Sequence, residues 1–341
     1  MSIRWKSFLP DPYIIGLLGA VAVASLLPCR GPWATAFGYI TNGAIVLLFF
    51  LHGAKLSREA IVAGLSHWRL HLLVLASTYV LFPVLGLAAQ AAGKGWIEPN
   101  LAAGVLFLTL LPSTVQSSIA FTSVAGGNVA AAVCSASASN LIGIFLTPLL
   151  VSGLMGAHGG GASLEAIRSI VLQLLLPFAI GHFSRPLTAK WLAKQKKIVG
   201  VVDRASILLV VYTAFSAAVV EGLWMKLSLT DLAAVLILDA AILAVVLVAT
   251  TVVSRRLGFS KPDEIAIVFC GSKKSLASGV PMAGVLFPAA SVGLMIVPLM
   301  LFHQIQLMVC AALAQRWGAR DTTAEKRAAA QKPTAAAVAR R

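Results

Sequence analysis

Residues 264–287 read EIAIVFCGSKKSLASGVPMAGVLF, and two adjacent lysines, Lys273 and Lys274, stand inside an apolar run long enough to cross a bilayer. A charge at bilayer depth costs at least ~2.5–3.5 kcal/mol on insertion scales, so a chain keeps one only where it faces a cavity or a partner. Gly271, Ser272, Ser275, Ser278, Gly279 and Pro281 surround the pair and predict an interrupted helix. A second interrupted span, Leu101 to Ser123, lies about half a chain earlier, with LPSTVQSS over residues 111–118 at its middle. Two broken spans in corresponding halves are the sequence pattern of a transporter site.

The rest of the chain supports a membrane setting. Of 341 residues, 59% are hydrophobic and 11% charged, which excludes an ordinary soluble domain. Hydropathy predicts ten spans: Tyr13–Leu27, Trp33–Leu51, Leu70–Ala91, Leu101–Ala125, Val129–Val151, Leu164–Gly181, Ala205–Met225, Asp231–Val253, Asp263–Phe287 and Ser291–Ala314. With ten spans both termini share one side. That side and its loops carry 21 of the 27 Lys and Arg residues, against 4 opposite, so both termini are expected in the cytoplasm of a cell whose plasma (inner) membrane holds the protein. Topology thus accounts for the net charge of +15, with anionic lipid as a partner and no nucleic acid needed.

The halves read as one five-span unit used twice, residues 1–158 and 159–318, and an odd span count inverts the second copy. Both breaks fall in the fourth span of their half, and both fifth spans carry a proline, Pro148 and Pro298. The glycine-rich stretch Met155–Ser163 joins the halves, and His52–Arg69 can form an amphipathic surface helix. Residues 319–341 are expected to be a disordered basic cytoplasmic tail. Met1–Pro12 is short and polar with no small-residue cleavage site after it, so no cleavable leader is expected. The four cysteines include no CxxC and suggest neither a zinc site nor a disulfide framework.

Pro112, Thr114, Gln116, Ser117 and Ser118 crowd the first break. Pro112 removes a backbone donor, and freed carbonyls with these hydroxyls can ligate a small cation or a polar substrate; a kink with hydroxyls bonded back to the helix is the plainer alternative. Ser135, Ser139 and Asn140 follow in span five, where small polar residues also serve close helix packing. At the second break, Ser272, Lys273, Lys274 and Ser275 are candidates. Lysine can hold an anionic substrate, stand as a tethered cation in place of sodium, or load and release a proton. Consecutive residues point ~100° apart on a helix, so the two lysines face one cavity only if the helix is unwound. Asp239, the one acid deep in a span, is the natural counter-ion. His303, Gln304 and Gln306 read as packing.

FFLHGAKLS at 49–57, LPSTVQSSIAFTSVAGGNVAAA at 111–132 and VFCGSKKSLASGVPM at 268–282 resemble the bile acid:sodium symporter superfamily, and the last two its SBF-like branch, which includes the seventh member of solute carrier family 10. The resemblance covers about Ile14 to Ala314. It implies ten spans as two inverted five-helix repeats, a panel domain of spans 1, 2, 6 and 7, and a core of spans 3–5 and 8–10 in which spans four and nine cross. In sodium-coupled relatives two sodium ions bind at that crossing; their Ser-Asn pair falls on Ser117 and Ser118, the candidate sodium ligands. Their bridging Glu falls on Phe269 or Cys270, and a following Gln on or beside Lys273, so this sequence departs from the two-sodium pattern.

The function expected is secondary active transport of a small organic anion by alternating access, in a monomer or homodimer, with sodium or a proton as the candidate coupling ion and no other cofactor; a lysine in a sodium position equally suggests uniport or exchange. A non-transporting regulator of ion homeostasis or cell-envelope processes is the alternative, which the short loops disfavour. Ser272, Ser275 and Lys274 supply the residue types of an intramembrane Ser–Lys hydrolase, without any suggestion of an oxyanion arrangement.

Overall fold

A computed structural model describes residues 12–55, 67–156 and 168–331; residues 56–66 of the expected amphipathic helix, most of the glycine-rich linker and residues 332–341 lie outside the described residues. Among the described residues the chain is all helix, without strands. Apart from the single turn Leu223–Lys226, these are in order α1 (Pro12–Leu26), α2 (Pro32–Lys55), α3 (Trp68–Gly93), α4 (Pro99–Thr109), α5 (Gln116–Val124), α6 (Val129–Met155), α7 (Arg168–Phe183), α8 (Arg185–Lys194), α9 (Lys196–Val220), α10 (Leu229–Arg256), α11 (Lys261–Gly271), α12 (Leu276–Leu286) and α13 (Ala289–Gln331).

Six helices, α2, α3, α6, α9, α10 and α13, have apolar lengths of 24 to 31 residues. At 1.5 Å per residue each covers the ~30 Å hydrocarbon layer. α7 bends by 88° into α8, whose basic residues continue away from the apolar run. The chain is a multi-pass membrane protein. Polarity is arranged as lipid demands: Ile15, Tyr39, Leu72, Val80, Leu149, Ile237 and Val248 face outward, while threonines, serines, Asp239, Gln306 and both lysines are buried.

Close helix approach is set by small residues. α2 and α7 touch at Gly53 and Gly181, where an added Cβ would fall 2.0 Å from Phe178 O and Phe50 O respectively. α4 lies against α13 at Gly104, whose Cβ would stand 2.5 Å from Met295 O, and against α3 at Gly86, where Thr109 Oγ1 would be 2.1 Å away. Edge-on aromatic pairs, Phe82–Phe302 and Phe107–Phe287, fill the space between these helices.

One expectation changes. The stretch from residue 319 expected to be irregular begins as helix, since α13 runs on through Gln331. Its sequence there, ARDTTAEKRAAAQ, is rich in strong helix formers, and extending an existing helix needs no new nucleus.

Candidate functional site: the crossing of two broken helices

The first break follows from the loss of backbone donors. Leu110 and Leu111 amides bond back three residues, to Phe107 O (3.0 Å) and Leu108 O (3.4 Å), tightening the last turn of α4. Pro112 has no N–H. The Ser113 amide leaves the helix for Ser139 Oγ at 3.1 Å. Carbonyls 109–113 must then find other donors, because a buried orphan is costly in the absence of water. Each finds one. Lys274 Nζ donates to Thr109 O and Leu111 O, both at 2.7 Å, and Thr147 Oγ1 donates to Leu110 O at 2.8 Å. The Ser275 amide donates to Pro112 O at 2.9 Å, and Asn140 Nδ2 to Ser113 O at 2.6 Å.

The second break is closed by hydroxyls. Ser118, Ser113 and Ser77 donate to the last three carbonyls of α11: Phe269 O (3.0 Å), Cys270 O (2.6 Å) and Gly271 O (2.8 Å). Ser275 then caps α12 by accepting from the Ser278 amide, and Ser278 Oγ reaches Asn140 Oδ1 at 2.9 Å. Between the two half-helices, Gln306 of α13 grips the Lys274 peptide from both sides, amide to Oε1 at 2.8 Å and Nε2 to carbonyl at 2.9 Å.

Lys274 Nζ has a third partner, Thr78 O of α3, at 2.8 Å. That carbonyl is free for a local reason. Residues Ser77–Leu81 form a π turn in which the Phe82 amide bonds Ser77 O. In this register the donor for Thr78 O would be Pro83, which has no N–H. Phe82 and Tyr79 add ring faces at 4.1 and 5.9 Å from the ammonium.

The neighbouring lysine is placed differently. Lys273 is equally buried, but its Nζ has no hydrogen-bond partner among the described residues. It lies 3.9 Å from the centre of the Phe121 ring and 5.4 Å from that of Phe269, in an apolar cluster with Cys310 and Ala314.

The sequence-derived candidates divide accordingly. Pro112, Ser118, Ser139, Asn140, Lys274 and Ser275 join the network between the two breaks. Ser272 is wholly buried beside it. Thr114 and Ser117 share a hydroxyl contact of 2.7 Å, and Gln116 opens outward at the start of α5, whose N-terminus has no side-chain cap. Ser135 stands apart, bonded to His71 Nδ1 at 2.6 Å. Asp239 does not act as the lysines' counter-ion: among the described residues both its carboxylate oxygens lack hydrogen-bond partners, and the ion pairs are Lys55–Asp203, Arg255–Glu264 and Lys261–Glu264. Carbonyls released by the two prolines satisfy Lys274 in place of a carboxylate. Sequence reasoning missed Thr78, Thr109, Ser113, Thr147 and Phe121, and set Gln306 aside as packing. Pro83 following Ser77 and Thr78 is a signal that could have found the α3 contribution.

The SBF-like CPA transporter family model matches residues 11–319. The chain belongs to that family. An uncharacterized protein of Pseudomonas aeruginosa is 60% identical over 314 residues, covering 92% of this chain and 94% of the relative. YfeH of Escherichia coli, which carries a provisional symporter name, is 57% identical over 307 residues, covering 90% and 92%. Sodium/bile acid cotransporter 7 of Mus musculus is 28% identical over 312 residues, covering 88% and 90%. The family and the last two of these relatives carry the names of membrane transporters, not of enzymes.

Proposed function

We propose that the protein is a secondary active transporter that moves a small organic anion by alternating access, coupled to sodium or a proton. In this reading α4–α5 and α11–α12 are each one discontinuous span. Together with α1, α2, α3, α6, α7, α9, α10 and α13 they make ten, arranged as two inverted five-helix repeats with both termini cytoplasmic. The core is α3–α6 with α10–α13, and α1, α2, α7 and α9 form the panel. The same device at both breaks supports the repeat: the peptide of Ser113 is held by Ser139 and Asn140 of α6, and that of Lys274 by Gln306 of α13. Arg69, Arg255 and Lys261 gather at one end of α10 and α11, in keeping with a cytoplasmic face there.

The observation that carries the reading is the meeting of two helix breaks around two buried lysines. Lys273, whose ammonium no oxygen of the described residues satisfies, and the uncapped N-terminus of α5 with exposed Gln116 are suited to an anionic group. Asp239 is a candidate for the coupling proton, and Ser117 and Ser118 for a sodium ion. The test is a melting-temperature screen of the purified protein against carboxylates, sulfonates and organic phosphates, followed by counterflow in proteoliposomes. Saturable stabilisation by one anion class, counterflow of that class, and loss of both in Lys273→Met are expected. Absence of any anion response together with absence of counterflow overturns the reading.

A further inference from the structure

We infer that the oxygens around Lys274 form a binding site for a small monovalent cation, and that this protein keeps the site filled with its own ammonium group. Three carbonyls, Thr78 O, Thr109 O and Leu111 O, converge on Nζ at 2.8, 2.7 and 2.7 Å. A neutral amine has two N–H bonds, so three acceptors at these lengths call for the charged form with three. No carboxylate among the described residues pairs with Lys274; its other neighbours are the faces of Phe82 and Tyr79, which also favour positive charge. Neutral carbonyls suit a single charge, the chemistry that potassium-selective filters use in larger rings. Calcium and magnesium take oxygens at about 2.0–2.6 Å and draw on carboxylates, which this cage lacks.

The three carbonyls come from two elements, α3 and the end of α4, while the lysine belongs to the α11–α12 break. The ammonium therefore fastens three spans together where a free ion would otherwise be needed. As a statement about coupling, that this carrier closes its crossing without a free cation at this point, the inference rests on the transporter reading. As a statement about binding it does not.

The experiment is thermal unfolding of the full chain in detergent, for wild type, Lys274→Ala and Lys274→Met. It is run in ammonium, methylammonium, potassium, sodium and choline chloride at fixed ionic strength and pH. Wild type should melt at the same temperature in ammonium, methylammonium, potassium and choline, and any response to sodium should persist in Lys274→Met, since the hydroxyls of Ser117 and Ser118 are untouched. Lys274→Ala should lose on the order of 10 °C in choline and regain most of it, saturably, in ammonium or potassium. Lys274→Met, whose side chain fills the space without a charge, should lose a similar amount and regain none. Lys274→Ala that no small cation stabilises overturns the inference and leaves the lysine as a hydrogen-bond donor only. So does Lys274→Ala as stable as wild type in choline. Should the alanine variant be too unstable to melt, monodisperse protein recovered from membranes solubilised in each salt replaces the melting point. Recovery in ammonium but not choline supports the site, and aggregation in every salt overturns it. None of these readouts requires transport, so a wild type that moves no organic anion fails the proposed function while leaving this result intact.

Discussion

The two breaks end their helices in opposite ways. α11 stops in the buried interior with its last three carbonyls satisfied by three neutral hydroxyls, Ser118, Ser113 and Ser77. α4 stops with its last carbonyl, Thr109 O, and that of Leu111 just beyond it satisfied by an ammonium, on Lys274. Helix C-termini carry partial negative charge, so a cation is the stronger partner. Charge-assisted hydrogen bonds are also roughly twice as strong as neutral ones. The difference teaches that an intramembrane lysine is not by its presence a substrate ligand. Lys274 is spent on the scaffold, and its neighbour Lys273, one residue earlier and equally buried, is the ammonium left without an oxygen partner among the described residues.

The comparison can be tested by substitution, beginning with the largest effect. Lys274→Met leaves three buried carbonyls orphaned and should cost about 3–5 kcal/mol, read as a large fall in melting temperature. Gln306→Leu frees both polar atoms of the Lys274 peptide and should cost about 2–3 kcal/mol; a loss equal to that of a surface substitution would mean the clamp is dispensable. Ser113→Ala and Ser118→Ala each remove one neutral bond from the end of α11. Each should cost about 0.6–1.5 kcal/mol in an unfolding titration, well short of the lysine. If they cost as much as Lys274→Met, the contrast between the two ends is wrong. Lys273→Met should change stability least, or raise it slightly, because an ammonium without hydrogen bonds is replaced by a side chain that packs against Phe121 and Phe269. The same variant should abolish anion-dependent stabilisation, which separates the two lysines by readout as well as by size.

A good part of this was legible in the chain. Apolar runs of about 20 residues, the Lys and Arg asymmetry, and the two polar interruptions follow from one-dimensional composition, because lipid punishes any unpaired backbone or charge wherever it occurs. Pro112 and the Gly271–Ser275 stretch announced their breaks for the same reason. What composition could not supply was the partner of each freed group. Asp239 is the natural counter-ion for a buried lysine by charge alone, yet Lys274 is held by carbonyls that Pro83 and Pro112 had released from helices distant in sequence. Ser135 and Ser139 look alike in span five, but four residues of helix send one to His71 and the other to the Ser113 amide.

The sequence by itself determined that this is a many-span membrane protein with two interrupted helices and two charges that need a reason, since solvation by lipid acts on local composition. Only the tertiary structure decided which lysine is bound and which is left over. That choice depends on where three carbonyls from two other elements converge, and such a convergence exists only once the helices have packed.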